Sequence, residues 1–141
     1  MLSLHEPRFL SDEKELLNKC IDSTFVSTAG EHVTLFEDKI KEYTGAKYAI
    51  ATSNGTSALH IALLVAGVKP LDEVITQSFT FVATCNAIKY CNAEPVFVDI
   101  SKDTLGMCPK SLKNWISNNT IKKDKKLINI NTGAKISAVL P

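Results

Sequence analysis

The spacing of apolar positions changes once along the chain, and that change divides it. Leu4 to Leu10 reads as an extended leading segment, with Pro7 holding Glu6 out of helix. Behind it Leu16, Leu17, Cys20 and Ile21 recur at helical spacing, with Ser11 placed to cap the helix and Asp12, Glu13 and Glu15 in its first turn. A second helix is predicted from Glu31 to Tyr43, with Val33, Phe36, Ile40 and Tyr43 on one stripe and Gly45 ending it. From Ala46 onward, short apolar runs alternate with helical ones. Ala46 to Ala51 reads as a buried strand, and Ala58 to Ala66 as a buried helix ending at Gly67. Glu73 to Thr76 is a short strand, Val82 to Cys91 a helix, and Glu94 to Ile100 a strand centred on Val96-Phe97-Val98. Ser101 to Met107 is a loop, and Pro109 opens a helix through Leu112, Trp115 and Ile116, with Trp115 as a core anchor. Asn118 to Lys126 reads as a solvated loop, and Ile136 to Leu140 as a last strand. The order predicts an α/β architecture: residues 1–45 a helical leading segment, residues 46–141 a mainly parallel sheet with helices on both faces.

Composition narrows the chemistry. With 141 residues, 45% hydrophobic and 22% charged, the chain can bury a core and resembles ordinary globular proteins. A formal net charge of +1 points neither to nucleic acid nor to a membrane surface. Arg8 is the only arginine, so bidentate guanidinium recognition is nearly absent. Cys20, Cys85, Cys91 and Cys108 form no CxxC pair and have no histidine at ligand spacing. They read as reduced core thiols of a cytoplasmic protein with no metal site. No apolar run reaches membrane-spanning length, and Met1 to Leu10 is not a signal peptide.

Two polar turns carry the candidate chemistry. In Ser53-Asn54-Gly55-Thr56-Ser57 a strand breaks and a helix begins. The first N–H groups of a helix lack internal acceptors and sit at its positive end, so they favour an anion. Gly55 lets that anion approach the backbone, and the Thr56 and Ser57 hydroxyls can also donate. Taken alone, the same residues are good helix caps, and that reading is the simpler one. The second turn, Gln77 to Phe81, offers Phe79 and Phe81; both turns are expected at the carboxyl edge of the sheet, where ligands bind. An anion cradle beside an aromatic plate suits a flat phosphorylated ring. GxGxxG and Walker A patterns are absent, so pyridoxal phosphate fits better than a dinucleotide or a nucleoside triphosphate. A nicotinamide-dependent enzyme is a further reading that these residues do not favour. The loop Thr24 to Gly30 mixes Phe25 with small polar residues and reads as either connection or ligand lining, with connection favoured. His60 reads as a packed helix residue.

The blocks Phe25-Val26-Ser27-Thr28-Ala29-Gly30-Glu31-His32-Val33 with Phe36-Glu37, Ser53-Asn54-Gly55-Thr56-Ser57-Ala58-Leu59, Asp72-Glu73-Val74-Ile75, Ser78-Phe79-Thr80-Phe81-Val82-Ala83-Thr84 and Glu94-Pro95-Val96-Phe97-Val98-Asp99-Ile100 stand in one order and spacing. In that order the chain resembles the amino-terminal part of the DegT/DnrJ/EryC1/StrS family of pyridoxal-phosphate-dependent sugar aminotransferases. The likeness is nearest to members that aminate 4-keto nucleotide sugars of the legionaminic acid, bacillosamine or perosamine type. It implies part of a fold-type I, aspartate aminotransferase-like large domain, acting in the parent as a homodimer. Gly55, Thr56 and Ser57 then fall on the cofactor phosphate, Phe81 on the cofactor ring, and Ser27, Thr28 and Gly30 near the substrate. The parent reaction moves an amino group, with glutamate the expected donor, to a keto nucleotide sugar. Leu71 stands where a turn glycine is usual in this family, and Gln77 where proline is usual.

The resemblance also implies what is missing. The lysine that holds the cofactor and the carboxylate at its pyridine nitrogen lie further along in the family. Asp99 matches an earlier, structural position, and no lysine stands in the catalytic context. The remainder of the large domain and the small domain are likewise expected beyond residue 141. The expectation is therefore a truncated or split aminotransferase, inactive alone and poorly soluble because a sheet edge is left open. The alternative is a non-catalytic remnant that binds phosphate or an intact homologue.

Overall fold

The computed structural model describes residues 6–9, 11–27 and 30–141, and it separates into two compact units, Met1–Ala51 and Thr52–Pro141. In the first unit α1 (Glu13–Asp22) and α2 (Glu31–Thr44) form where the apolar spacing predicts. The leading residues 6–9 have no regular structure, and the rest of that predicted segment lies outside the described residues. Asp12, not Ser11, occupies the N-cap of α1; the Ser11 N–H instead donates to Glu13 Oε2 at 2.9 Å. Gly45 closes α2 in the left-handed region at φ 71°, its N–H donating to Lys41 O at 2.9 Å. Neither helix contains a buried residue: Phe36 is 57% exposed and Tyr43 91%. Amphipathic spacing forms the helices, but burial needs a covering surface as well.

The predicted strand Ala46–Ala51 is not formed. The segment enters no ladder among the described residues, and Tyr48 and Ile50 are 74% and 84% exposed. A strand exists only through a partner. Here the Ala51 N–H donates to the Glu37 carboxylate at 2.8 Å instead. The Ser53–Ser57 turn therefore does not follow a strand.

The second unit holds α3 (Gly55–Val65), β1 (Glu73–Gln77), α4 (Val82–Tyr90), β2 (Glu94–Val98), α5 (Pro109–Asn119), β3 (Thr120–Lys123), β4 (Lys126–Asn129) and β5 (Lys135–Leu140). The sheet order is β2-β1-β5-β4-β3. β1 pairs in parallel with β2 and with β5, while β4 is antiparallel to both β5 and β3, so the sheet is mixed. The run read as a solvated loop is thus the end of α5 and a lysine-rich hairpin.

Alternation along β1 feeds two cores. Val74 joins Leu63, Val68, Ala87, Ile88, Cys91 and Ala93 under α3 and α4. Ile75, on the other face, joins Val98 and Ile136, with Leu112, Trp115 and Ile116 of α5 packed against them. Helices therefore cover both faces. The covering is partial: of α3 only Leu63 is buried, and Val65 is 83% exposed. All four cysteines are free, and burial pushes the Cys91 thiol pKa up.

Candidate functional site

The N-terminus of α3 is built by its own first residues. Asn54 is extended, and its Oδ1 accepts the Ser57 N–H at 2.9 Å; its carbonyl accepts the Ala58 N–H at 3.1 Å. The cap therefore uses one of the early donors, while the Gly55 and Thr56 N–H groups have no acceptor among the described residues. The space in front of Gly55 is open among the described residues: a Cβ there meets nothing of theirs within 4 Å. Ser57 Oγ lies 3.5 Å from Ser53 Oγ, and Thr52 Oγ1 donates to Asn54 O at 3.1 Å, which folds the turn onto itself. Two free N–H groups, two hydroxyls and open space at a helix's positive end are what a phosphate needs. The residues present fit the phosphate of pyridoxal phosphate.

A groove of about 370 Å³ runs beside this terminus, lined by Asn54, Thr56, Ser57, His60 and Tyr90. His60 stands one turn behind Thr56 and Ser57 on the same helix face, and its ring meets Tyr90 edge-on at 5.7 Å between centroids. Neither residue is among the site candidates that the sequence predicts. His60 was visible from its spacing of four from Thr56; Tyr90 arrives through the packing of α4, which has no local signal.

Phe81 is the N-cap residue of α4, 79% exposed, and with Phe79 and Thr80 it lines a separate shallow groove of about 320 Å³. That turn is held by Gln77 Nε2 donating to Phe79 O at 3.2 Å and by a Thr80–Thr84 hydroxyl pair at 2.9 Å. Gln77 Oε1 is buried without a partner among the described residues. Ser27 and Gly30 belong to the first unit, where they line a groove of about 640 Å³ with Leu16, Cys20, Phe25 and Val33. Gly30 is the N-cap residue of α2, and a Cβ there would sit 3.4 Å from Phe25 O. Thr28 lies outside the described residues. Asp99 serves through its backbone: its N–H donates to Ser111 Oγ at 3.1 Å and its carbonyl accepts from Cys108 N at 2.9 Å, which fixes the start of α5.

Residues 8–139 match the sequence profile of the DegT/DnrJ/EryC1/StrS aminotransferase family. The GDP-perosamine synthase of Escherichia coli O157:H7 is 41% identical over 119 residues, covering 84% of this chain and 33% of that protein. A DegT DnrJ EryC1 StrS aminotransferase from Brucella abortus superposes with a TM-score of 0.74 at 31% identity, covering 89% of this chain and 31% of that one. NtdA from Bacillus subtilis, solved with bound cofactor PMP, gives a TM-score of 0.66 at 35% identity over 72% of this chain and 24% of its own. The chain spans about a third of the length of the curated relatives it matches.

Proposed function

The chain belongs to the DegT/DnrJ/EryC1/StrS aminotransferase family, and from that premise we propose that it carries the cofactor-phosphate cradle of an enzyme that aminates a keto nucleotide sugar. The observation behind the reading is the α3 terminus, with its unused Gly55 and Thr56 N–H groups, the Thr56 and Ser57 hydroxyls, and open space over Gly55. Gly55, Thr56 and Ser57 hold the phosphate, and Phe81 offers a face for the cofactor ring. Ser27, Thr28 and Gly30 contribute to the sugar side. Pyridoxal phosphate, when bound, supplies the electron sink for amino transfer between glutamate and the sugar. This chain's own residues bind and orient; none of its lysines serves as the covalent anchor. The four free cysteines support a cytoplasmic setting. The uncovered apolar positions of α1 and α2 favour a second reading, in which the chain pairs with a copy of itself or with an intact homologue.

The cradle is tested by titrating the 141-residue chain with pyridoxamine 5'-phosphate. Thr56→Val and Ser57→Ala are each expected to weaken binding by about tenfold, the equivalent of one hydrogen bond to a charged group. Affinity unchanged in both variants would remove the phosphate from α3. Treatment with pyridoxal phosphate and borohydride is expected to leave no specific adduct at any one lysine; a stoichiometric adduct at one lysine would refute the absence of a covalent anchor.

A further inference from the structure

The tip of the β3–β4 hairpin gathers Lys122, Lys123, Lys125 and Lys126 around a single carboxylate, Asp124, and all five are exposed. Lys123 stands directly across the ladder from Lys126, and like charges so placed repel. The turn residues Asp124 and Lys125 are both left-handed, at φ 49° and 61°, where non-glycine residues are disfavoured. Ion pairing does not offset this. Lys19, Lys39, Lys41, Lys89 and Lys135 each have a carboxylate partner, whereas among the described residues none of the four tip lysines does.

Topology places that tip. β4 runs against β5, with Leu127 opposite Ile136 and Ile128 opposite Lys135, so the chain enters β4 at Lys126 from the side of β5's carboxyl end. β1 and β2 run parallel to β5 and end on that same side, at Gln77 and Val98. The hairpin tip therefore lies on the side of the sheet at which ligands of parallel sheets bind. Compact ammonium groups suit phosphates as point charges without demanding bidentate geometry.

We propose that the Lys122–Lys126 tip binds the diphosphate of a nucleoside diphosphate and is the nucleotide-recognising element of the substrate site. This rests on the nucleotide-sugar reading above. The ligand supplies the counter-charge that the fold leaves out, and Asp124 opposes it.

The experiment titrates the 141-residue chain with GDP and with UDP. Both are expected to bind, more weakly as salt rises from about 50 to about 200 mM. The Lys123→Gln/Lys126→Gln variant is expected to bind both about tenfold more weakly, and Asp124→Asn more tightly. Lys110→Gln/Lys113→Gln, on α5, is expected to leave both affinities unchanged. Pyridoxamine 5'-phosphate affinity is also expected to be unchanged in the tip variants. No GDP or UDP binding by the unsubstituted chain overturns the proposal. So does equal binding by Lys123→Gln/Lys126→Gln, and if that variant self-associates, the lysines serve only to blunt the edge strand. GDP binding retained alongside absent pyridoxamine phosphate binding strikes the α3 cradle alone.

Discussion

Replacing Glu73 with methionine is expected to destabilise the sheet unit by about 2 kcal/mol. Glu73 lies in the central region of the sheet, 4% exposed, and its carboxylate accepts from Asn129 Nδ2 and Thr132 Oγ1, each at 2.7 Å. Those contacts reach across 56 and 59 residues of sequence and tie the turn after β4 to β1. Asn129 is itself only 5% exposed, so Glu73→Met leaves a buried amide donor without an acceptor, a cost of roughly 1–3 kcal/mol. Thr132 is exposed and can turn its hydroxyl to water, so its loss adds less. Removing a buried carboxylate recovers part of its desolvation cost, which keeps the net near the middle of that range. Glu73→Gln separates the contributions. Its amide oxygen can accept from Asn129 and its NH₂ can donate to the Thr132 hydroxyl, so only the charge is lost and the change is expected to stay within about 1 kcal/mol. Urea unfolding followed by circular dichroism measures both variants. Hydrogen exchange should show the amides of Asn131, Gly133 and Ala134 opening first in Glu73→Met. If Glu73→Met is as stable as the unsubstituted chain, the network is not the tie between hairpin and parallel strands, and the reasoning fails.

Two further substitutions test single residues. Leu71 is 82% exposed and left-handed at φ 68°, so Leu71→Gly relieves a backbone penalty larger than the added chain entropy and is expected to raise stability by about 0.5–1 kcal/mol; a lower urea midpoint would refute it. Burial raises the Cys91 thiol pKa above the ordinary thiol value of 9.0, so the folded state holds its proton where the unfolded state has released it. Stability from this group is full below pH 9.0 and declines as pH rises through the folded pKa; Cys91→Ala should flatten the fall in urea midpoint between neutral and strongly alkaline pH, and an unchanged slope would count against it.

What the sequence made legible was whatever its local residues decide alone. α1 and α2 follow from apolar spacing, and Gly45 ends α2 because a left-handed cap needs no other part of the molecule. The Asn54–Ser57 turn was readable for the same reason: cap and free donors both come from residues within one helical turn. The hairpin was hidden because its stabilisation is remote. Thr120–Lys123 carries two lysines, Asp124-Lys125 lacks the Asn-Gly signal of a tight hairpin, and β4 is held by pairing with β5 and by Glu73. Ala46–Ala51 failed in the opposite direction, since apolar content favours a strand but only a neighbouring ladder makes one.

The same distinction separates the two proposed anion-binding features. At α3 the donors come from helix geometry, so the cap and the unused N–H groups persist whatever else the chain contacts. At the hairpin the charges depend on register: Lys123 faces Lys126 only while Ile121 pairs with Ile128 and Leu127 with Ile136. A one-residue slip would turn Leu127 from the α5 core to the opposite face, so the packing that buries it also fixes the lysine pair. Glu73→Met, which loosens that register through Asn129, should therefore weaken GDP binding while leaving pyridoxamine 5'-phosphate binding at α3 intact. Parallel loss of both would mean that the two sites share one folding unit more tightly than the hydrogen bonds indicate.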